Sequence, residues 1–214
     1  MLQETKQMSN QRGLTQHLKM CTVMTMPAIE GPRGGPSGGL AWLVPQNLGF
    51  DNIRAPVTVV DGLLGVLHLS YLGLPLALIN VYAPPDDRRQ GTIGALKRLM
   101  DQQDFGDAIP LKAGDLNIDP HRKEDAGAWA EVSQIMARHG QVPLLKGTKT
   151  HCSTEGRFTN IDHAFAPNVI ENQVSLRHRG DTLSLPDPRK HAIVSINTYL
   201  QNTKASVKEG RQVV

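Results

Sequence analysis

The segment KAGDLNIDP, residues 112–120, places an Asp and an Asn two positions apart at the end of an apolar run. Side chains alternate between the two faces of a strand, so Asp115 and Asn117 are expected to project the same way. A carboxylate beside an amide can hold a metal-bound water or a phosphate oxygen. An Asx turn leaving the strand would use the same two residues for a structural purpose, and both interpretations stay open.

Other side chains that can bind a cation, contact a phosphate or transfer a proton also stand beside apolar runs. Each has an ordinary alternative when taken alone, as a surface acid, a rim aromatic, a turn former or an exposed imidazole. Because an α/β sheet collects its functional residues at strand ends, their shared position predicts a single site. They are Glu4 in LQETK, Tyr82 in INVYAP, Asp162 in TNIDHAF and His191 in RKHAIVSI.

The elements that must position these residues are predicted from hydrophobic periodicity and turn residues. The predicted strands cover 22–26, 39–45, 55–60, 108–114, 161–166 and 192–199. The predicted helices are one capped by Thr92, with Ile93, Leu96 and Met100 on its apolar face, and one over 124–139, with Trp129, Val132 and Met136 on its apolar face and its end at Gly140. This alternation predicts a mixed α/β or α+β layered domain over residues 1–200, followed by a polar tail at 201–214.

The apolar segment 62–84 is long enough to cross a membrane. Polar residues such as His68 and Asn80 interrupt it, and the sequence Gly-Leu-Pro at 73–75 is typical of a turn. We therefore predict two buried strands joined by a tight turn, and no membrane partner. The N-terminal residues also lack the apolar core of a signal peptide.

Composition favours a globular protein in a reducing compartment. The 214 residues are 39% hydrophobic and 20% charged, which excludes a disordered chain. A net charge of +3 permits a polyanionic partner without requiring one. Cys21 and Cys152 are the only two cysteines, so neither a disulfide framework nor a cysteine zinc site is indicated. An intracellular location, cytoplasmic or nuclear, is expected, and the oligomeric state stays open.

The order and local sequence of these segments resemble the endonuclease/exonuclease/phosphatase superfamily, which includes exonuclease III, apurinic endonucleases and DNase I. Six motifs between residues 2 and 199 carry the resemblance, in the family's order: LQETK, SGGLAWLV, INVYAP, GDLN, NIDHAF and KHAIVSI. The passages NVYAPPDDRR and GTKTHCSTEGRFTNIDHAF look most like the endonuclease domains of LINE-type retrotransposons. The resemblance implies a DNase I-like layered sandwich, in which two packed mixed β-sheets are flanked by helices.

The resemblance also implies how a metal and a water would be held. Glu4 matches the family's metal-binding glutamate, and Asp115 is the second expected metal ligand. Mg²⁺ or Mn²⁺ is the expected ion, because both prefer carboxylate oxygens and keep several waters. Asp115 and Asn117 match the pair that orients or deprotonates the attacking water.

Three further residues are implied to act on the phosphate. Tyr82 matches a tyrosine that lies near the scissile phosphate, and His191 matches a histidine that contacts it. Asp162 matches the carboxylate that braces this histidine. A carboxylate bonded to imidazole favours the cationic ring, which can offset charge on the phosphoryl oxygens.

Two departures from the family pattern bear on activity. Lys190 stands where the family usually has an Asp directly before the final histidine, and Asp187 is the nearest acid that could replace it. The family also begins with a strand that ends in an Asn, whereas Met1 stands only three positions before Glu4. We therefore predict that the first strand is absent, as in a truncated or decayed sequence, which would leave backbone groups unpaired.

These observations lead to one principal hypothesis and two alternatives. The principal hypothesis is a Mg²⁺-dependent endonuclease that hydrolyses the DNA backbone through a metal-activated water and needs no nucleotide cofactor. One alternative is a phosphomonoesterase or phosphoinositide phosphatase of the same superfamily. The other is a catalytically dead, nucleic-acid-binding remnant, which salt-sensitive DNA binding without turnover would identify.

Overall fold

The structure is a computed structural model that describes residues 1, 3, 5–6, 8, 20–32, 34–102, 105–145, 149–152, 157–179, 190–191 and 193–198. For residues 152, 171–179, 190–191 and 193–198 only the backbone is described. The predicted polar tail at 201–214 lies outside the described residues.

Sixteen strands and two α-helices are present in the described part of the chain. The strands are β1 Cys21–Met26, β2 Ile29–Glu30, β3 Pro36–Ser37, β4 Leu40–Pro45, β5 Phe50–Asp51, β6 Val57–Val60, β7 Leu64–Tyr71, β8 Leu74–Tyr82, β9 Ile109–Asp115, β10 Gln141–Pro143, β11 His151–Cys152, β12 Phe158–Thr159, β13 Asp162–Pro167, β14 Val174–Arg179, β15 Lys190–His191 and β16 Ile193–Thr198. The helices are α1 Arg88–Gln102 and α2 Ala126–Arg138, and short 3₁₀ helices cover Lys123–Asp125 and Asn168–Gln173.

A seven-stranded mixed sheet forms the centre of the fold. Its strand order is β10-β13-β9-β8-β7-β5, and β6 also pairs with β7. Among the described strands, only β8 and β9 pair in parallel, and the crossover between them is α1, as a parallel pair requires. The segment 62–84 forms the antiparallel hairpin β7–β8, which confirms the predicted pair of buried strands. No helix in the described part of the chain is long and apolar enough to span a membrane.

Smaller sheets surround this central sheet. β1 pairs with β4, β2 with β3 and β14 with β16, each in antiparallel fashion, and β11 lies between β12 and β15. Periodicity did not predict β14, because its sequence VSLRHR contains three consecutive basic residues. The predicted strands near 22–26, 39–45, 161–166 and 192–199 are present to within one residue at each end.

Both predicted helices exist, with different starts. α1 begins at Arg88 rather than at Thr92, so the predicted cap at Thr92 is wrong. Asp86 supplies the cap instead, because its carboxylate accepts a hydrogen bond from the Arg88 N–H at 3.0 Å. Thr92 lies inside the helix and donates its hydroxyl to the Arg88 carbonyl. α2 begins after a turn of 3₁₀ helix and is followed by Gly140 at φ +62°, as predicted.

The two larger apolar cores of the described residues lie on opposite faces of the central sheet. Leu64, Val66, Ile79 and Val81 face α1 and α2, where the predicted stripes of both helices are packed. The alternate residues, including Leu67 and Leu69, face the β1–β4 pair instead. Helices, central sheet and a second, smaller sheet are therefore successive layers, which confirms the predicted layered α/β class.

Candidate functional site

Three of the predicted site residues form one row across neighbouring strands. Tyr82, the last residue of β8, pairs with Asp115, the last residue of β9. Asp115 also pairs with Asp162, the first residue of β13. Paired residues on adjacent strands lie on the same face, and adjacent strands are about 4.8 Å apart, so the three Cα atoms span about 10 Å. Residues separated by 80 positions in the sequence thus meet at one edge of the sheet.

Gly114 allows the first two strands of this row to approach each other. It pairs with Val81, and a Cβ atom at residue 114 would collide with the Val81 carbonyl oxygen. The contact continues past the strand ends, because the Ala83 N–H donates to the Asp115 carbonyl at 2.8 Å. The glycine of the GDLN motif is therefore needed to bring Tyr82 next to Asp115.

Asn117 reaches the same edge by a different geometry from the one predicted. β9 ends at Asp115, and Asn117 lies beyond it with φ +49°, so the strand alternation does not extend to Asn117. The Asp115 carboxylate accepts a hydrogen bond from the Asn117 N–H at 2.8 Å, which is the Asx turn. The turn brings the Asn117 side chain to Ala83, where its Nδ2 donates to the carbonyl at 2.9 Å. The Asx turn therefore holds the Asn117 side chain beside Ala83, the residue that follows Tyr82.

A charged network holds the loop that follows Asn117. Arg89, in the first turn of α1, donates from Nη1 to the Asn117 carbonyl at 3.0 Å and to the Asp125 carboxylate at 3.4 Å. The other Asp125 oxygen accepts the Asp119 N–H. Asp119 and Asp125 are both buried. From the sequence, Arg89 was expected in an exposed loop, with a contact to a DNA backbone as the alternative, and its bonds to Asn117 and Asp125 were not predicted because the partners of a cation cannot be read from its sequence neighbours.

A hydrogen bond and a small sheet connect Asp162 to the backbone at His191. The Asp162 N–H donates to the Thr150 hydroxyl at 3.0 Å, and Thr150 directly precedes β11. In that small sheet His151 pairs with His191, and Cys152 pairs with Lys190. The backbone at His191 therefore lies one strand away from β11. The side chains of residues 190–191, and Asp187, lie outside the described part.

Glu4 also lies outside the described residues, while some of its neighbours are described. The Thr5 N–H donates to the Gly39 carbonyl at 3.1 Å, next to the start of β4. Gln3 donates from Nε2 to Asn80 Oδ1 at 2.5 Å. Asn80 is fully buried and lies two residues before Tyr82 in β8, on the same face.

Two buried basic residues lie on the opposite face of the sheet. Lys112 is 1% exposed among apolar neighbours, and this burial lowers the pKa of its ammonium to about 7. His163 packs its ring against Trp129 with centroids 4.7 Å apart, and its Nε2 bonds the Ile118 carbonyl at 2.8 Å. Burial lowers the pKa of His163 as well. Both residues alternate with the site residues along β9 and β13, so they face the helices.

The donor atoms of the row are compatible with a hydrated divalent cation. Asp115 and Asp162 place two carboxylates on adjacent strands, and oxygen is the ligand that Mg²⁺ prefers. Within the described ranges, no three His, Cys, Asp or Glu side chains form a group that could enclose a metal ion. Mg²⁺ is commonly held by one or two carboxylates and several waters, so the chemistry of the Asp115 carboxylate fits such an ion.

Comparison with solved structures finds the same architecture in several enzymes. The 3′-5′ exonuclease NExo from Neisseria meningitidis matches with a TM-score of 0.67 at 16% identity, over 92% of this chain and 87% of that one. NExo from Neisseria, described as a 3′ phosphatase bound to a product DNA hairpin, matches with a TM-score of 0.62 at 17% identity, over 92% and 87%. The endonuclease domain of TRAS1, a telomere-specific non-LTR retrotransposon, matches with a TM-score of 0.63 at 16% identity, over 84% and 81%.

The chain has the DNase I-like fold. This confirms the fold that the resemblance implied. No protein-family model matches the sequence, and no significant match occurs among the curated proteins. The retrotransposon domain and the exonuclease match this DNase I-like chain about equally well, so the likeness to LINE-type endonucleases stays a prediction.

Proposed function

We propose that this protein is a divalent-metal-dependent phosphodiesterase that cleaves the DNA backbone as an endonuclease. The observation that supports the proposal is the row of Tyr82, Asp115 and Asp162 at one edge of the sheet, on a DNase I-like fold. Sequence motifs alone predicted these residues, and nothing in their sequence spacing requires them to be neighbours. The solved structures with this fold include an endonuclease, an exonuclease and a phosphatase, all named for hydrolysis of phosphate esters or nucleic acid.

In the proposed reaction, each residue acts on the water or on the phosphate. Asp115 accepts a proton from the attacking water, and Asn117 helps to orient that water through its amide. Tyr82 donates its hydroxyl to a non-bridging phosphate oxygen. His191, braced by Asp162, supplies positive charge to the phosphoryl oxygens as the bond to the 3′ oxygen breaks.

Asp115 and Glu4 are the residues proposed to hold Mg²⁺ or Mn²⁺. Such an ion supplies Lewis-acid polarisation of the phosphate. The protein's contribution is to present carboxylate oxygens at a fixed position, which the Asx turn at Asp115 achieves. Lys190 would add a positive charge where the family pattern has a negative one, and should weaken cation binding.

Plasmid nicking tests the proposal. Purified protein should convert supercoiled DNA to the nicked form with Mg²⁺, and EDTA should stop the conversion. Asp115→Ala and His191→Ala should each lower the rate by about 100-fold or more, because general acid–base groups contribute about 10² to 10⁴. Nicking that persists in both variants would reject these roles.

Two alternative functions give different results in the same assay series. A phosphomonoesterase would release inorganic phosphate from a 3′-phosphorylated oligonucleotide or from a phosphoinositide while leaving the plasmid intact. The NExo structure that is described as a 3′ phosphatase keeps this alternative open for the fold. A catalytically dead binder would retain DNA on a filter in a salt-dependent manner without turnover.

A further inference from the structure

His163 donates a buried hydrogen bond to the loop that follows β9. The residue is 4% exposed, and its Nε2 lies 2.8 Å from the carbonyl oxygen of Ile118. A carbonyl oxygen can only accept a hydrogen bond, so the imidazole must carry its hydrogen on Nε2. Ile118 is fully buried. Water therefore cannot replace the imidazole at this oxygen.

The position of the His163 ring is fixed by its neighbours. The strand register pairs His163 with Gly114 of β9. Trp129 of α2 packs against the ring with centroids 4.7 Å apart, and Phe165 stacks with it at 6.4 Å. The Nε2 donor is thus held at a set place relative to both strands, on the face of the sheet opposite to the candidate site.

The loop conformation that this bond holds includes an unfavourable backbone angle at Asn117. Its φ of +49° lies in the left-handed region, which a residue with a side chain adopts only at a cost. Bonds on both sides maintain it. The Asn117 N–H is bonded to Asp115, its carbonyl accepts from Arg89, and the next carbonyl, that of Ile118, accepts from His163.

His163 also connects two residues of the candidate site through the backbone. It directly follows Asp162 in β13, and the Leu116 N–H donates to the carbonyl of Ile161, on the other side of Asp162. The segment that contains Asn117 is therefore bonded to β13 immediately before and immediately after Asp162. A shift of this loop would change the position of Asn117 relative to Asp162.

We propose that His163 is a positioning residue that sets Asn117 relative to Asp162 by holding the carbonyl of Ile118. The inference rests on the proposed phosphodiesterase function, in which Asn117 orients the attacking water. His163 faces the helices, so it contacts neither the water nor the phosphate and acts through the loop alone.

His163→Phe removes the donor and keeps a ring against Trp129. The melting temperature should fall by about 3–10 °C, because the buried Ile118 carbonyl loses its partner. The maximal single-turnover rate of cleavage of a DNA duplex with Mg²⁺ should fall by about 10-fold or more, since a small displacement of a positioned group slows the reaction. The DNA concentration that gives half of this rate should not change. An unchanged maximal rate would overturn the proposal.

His163→Gln separates the hydrogen bond from the packing of the ring. Its amide Nε2 is a neutral donor with a reach close to that of the imidazole, but the stacking against Trp129 is lost. This variant should therefore have a lowered melting temperature and a cleavage rate near that of the unaltered chain. A rate as low as that of His163→Phe would overturn the proposal.

Met100→Ala is the control for lost stability. Met100 is 2% exposed and lies near the end of α1, about 16 Å along the helix from Arg89. The cavity should lower the melting temperature at least as much as His163→Phe does. Below that temperature, cleavage should proceed at the unaltered rate. Slow cleavage by this variant would assign the effect of His163→Phe to stability and overturn the proposal.

Hydrogen exchange of the protein without DNA gives a readout that does not depend on cleavage. The amide hydrogens of Leu116, Asn117 and Asp119 should exchange faster in His163→Phe, and close to the unaltered rate in His163→Gln and Met100→Ala. Unchanged exchange in His163→Phe would overturn the positioning role. Faster exchange, in a chain whose unaltered form cleaves no DNA, would support the hold on the loop and reject the proposed function.

Discussion

At the residue scale, Lys112 shows that one strand can carry a candidate site residue on one face and a buried basic group on the other. Asp115 lies on the site face of β9, while Lys112 lies on the helix face, 1% exposed and with no hydrogen-bond partner for Nζ in the described part of the chain. Burial lowers the pKa of this ammonium from 10.5 to about 7, because the charged form loses its hydration. Because Lys112 faces the helices and not the candidate site, we expect it to affect the stability of the fold and not the reaction.

Lys112 makes stability depend on pH in a defined window. Between about pH 7 and 10.5 the unfolded chain holds a proton on Lys112 that the folded chain has lost, so stability should rise with pH across this window. The full rise is on the order of 5 kcal/mol, from 1.36 kcal/mol per pKa unit. In urea unfolding at pH 6, Lys112→Met should be more stable than the unaltered chain. From pH 7 to 10, the contribution of Lys112 to the rise of stability with pH should be absent from the variant. Identical pH dependence in both proteins would contradict the assignment.

The sequence predicted which residues occupy the site edge better than it predicted how they reach it. Tyr82, Asp115 and Asp162 could be predicted because each stands beside an apolar run, and the strand register brings them together. The alternation rule did not apply to Asn117, since its positive φ ends the strand. A local turn that depends on a side-chain hydrogen bond has no periodic signal in the sequence.

At the element scale, the parallel contact between β8 and β9 is the part of the fold most sensitive to a small change. The carbonyl of Val81 occupies the space where a side chain at residue 114 would begin. α1 returns the chain from β8 to β9, so its packing and the approach of the two strands are coupled.

Gly114→Ala should destabilise the protein by about 3 kcal/mol or more, because the added methyl group forces the strands apart. The matched control is Gly127→Ala in α2, where nothing lies within 4 Å of the added atom. That substitution should raise stability by up to about 1 kcal/mol through helix propensity. Thermal unfolding of both variants measures the two effects, and equal signs would contradict the described packing.

The loop after β9 depends on a cation from α1. Arg89→Met removes the donor to the Asn117 carbonyl and the ion pair with buried Asp125, so a loss of about 1–3 kcal/mol is expected, together with slower DNA cleavage. Arg98→Met, at an exposed position of the same helix, should change neither. Denaturant titration and single-turnover cleavage provide the readouts. A loss of stability with an unchanged cleavage rate would show that the loop does not position Asn117.

At the scale of the whole molecule, the two larger apolar cores cover opposite faces of the central sheet, and the candidate site lies at the edge of that sheet. The helices cover one face and the β1–β4 pair covers the other, so the row of site residues lies where β8, β9 and β13 begin or end. Hydrophobic periodicity predicted these layers because both helices and the long strands have regular apolar stripes. It did not predict the two-residue strands β11, β12 and β15, whose pairing is set by contacts distant in sequence.

The cleavage rate of Asp115→Asn tests the central claim most directly. The substitution keeps the size of the side chain and removes its ability to accept the proton of the attacking water. In a single-turnover assay on a DNA duplex at fixed Mg²⁺, we expect a rate at least about 100-fold below that of the unaltered chain, with an unchanged melting temperature. Equal rates for the two proteins would contradict the account.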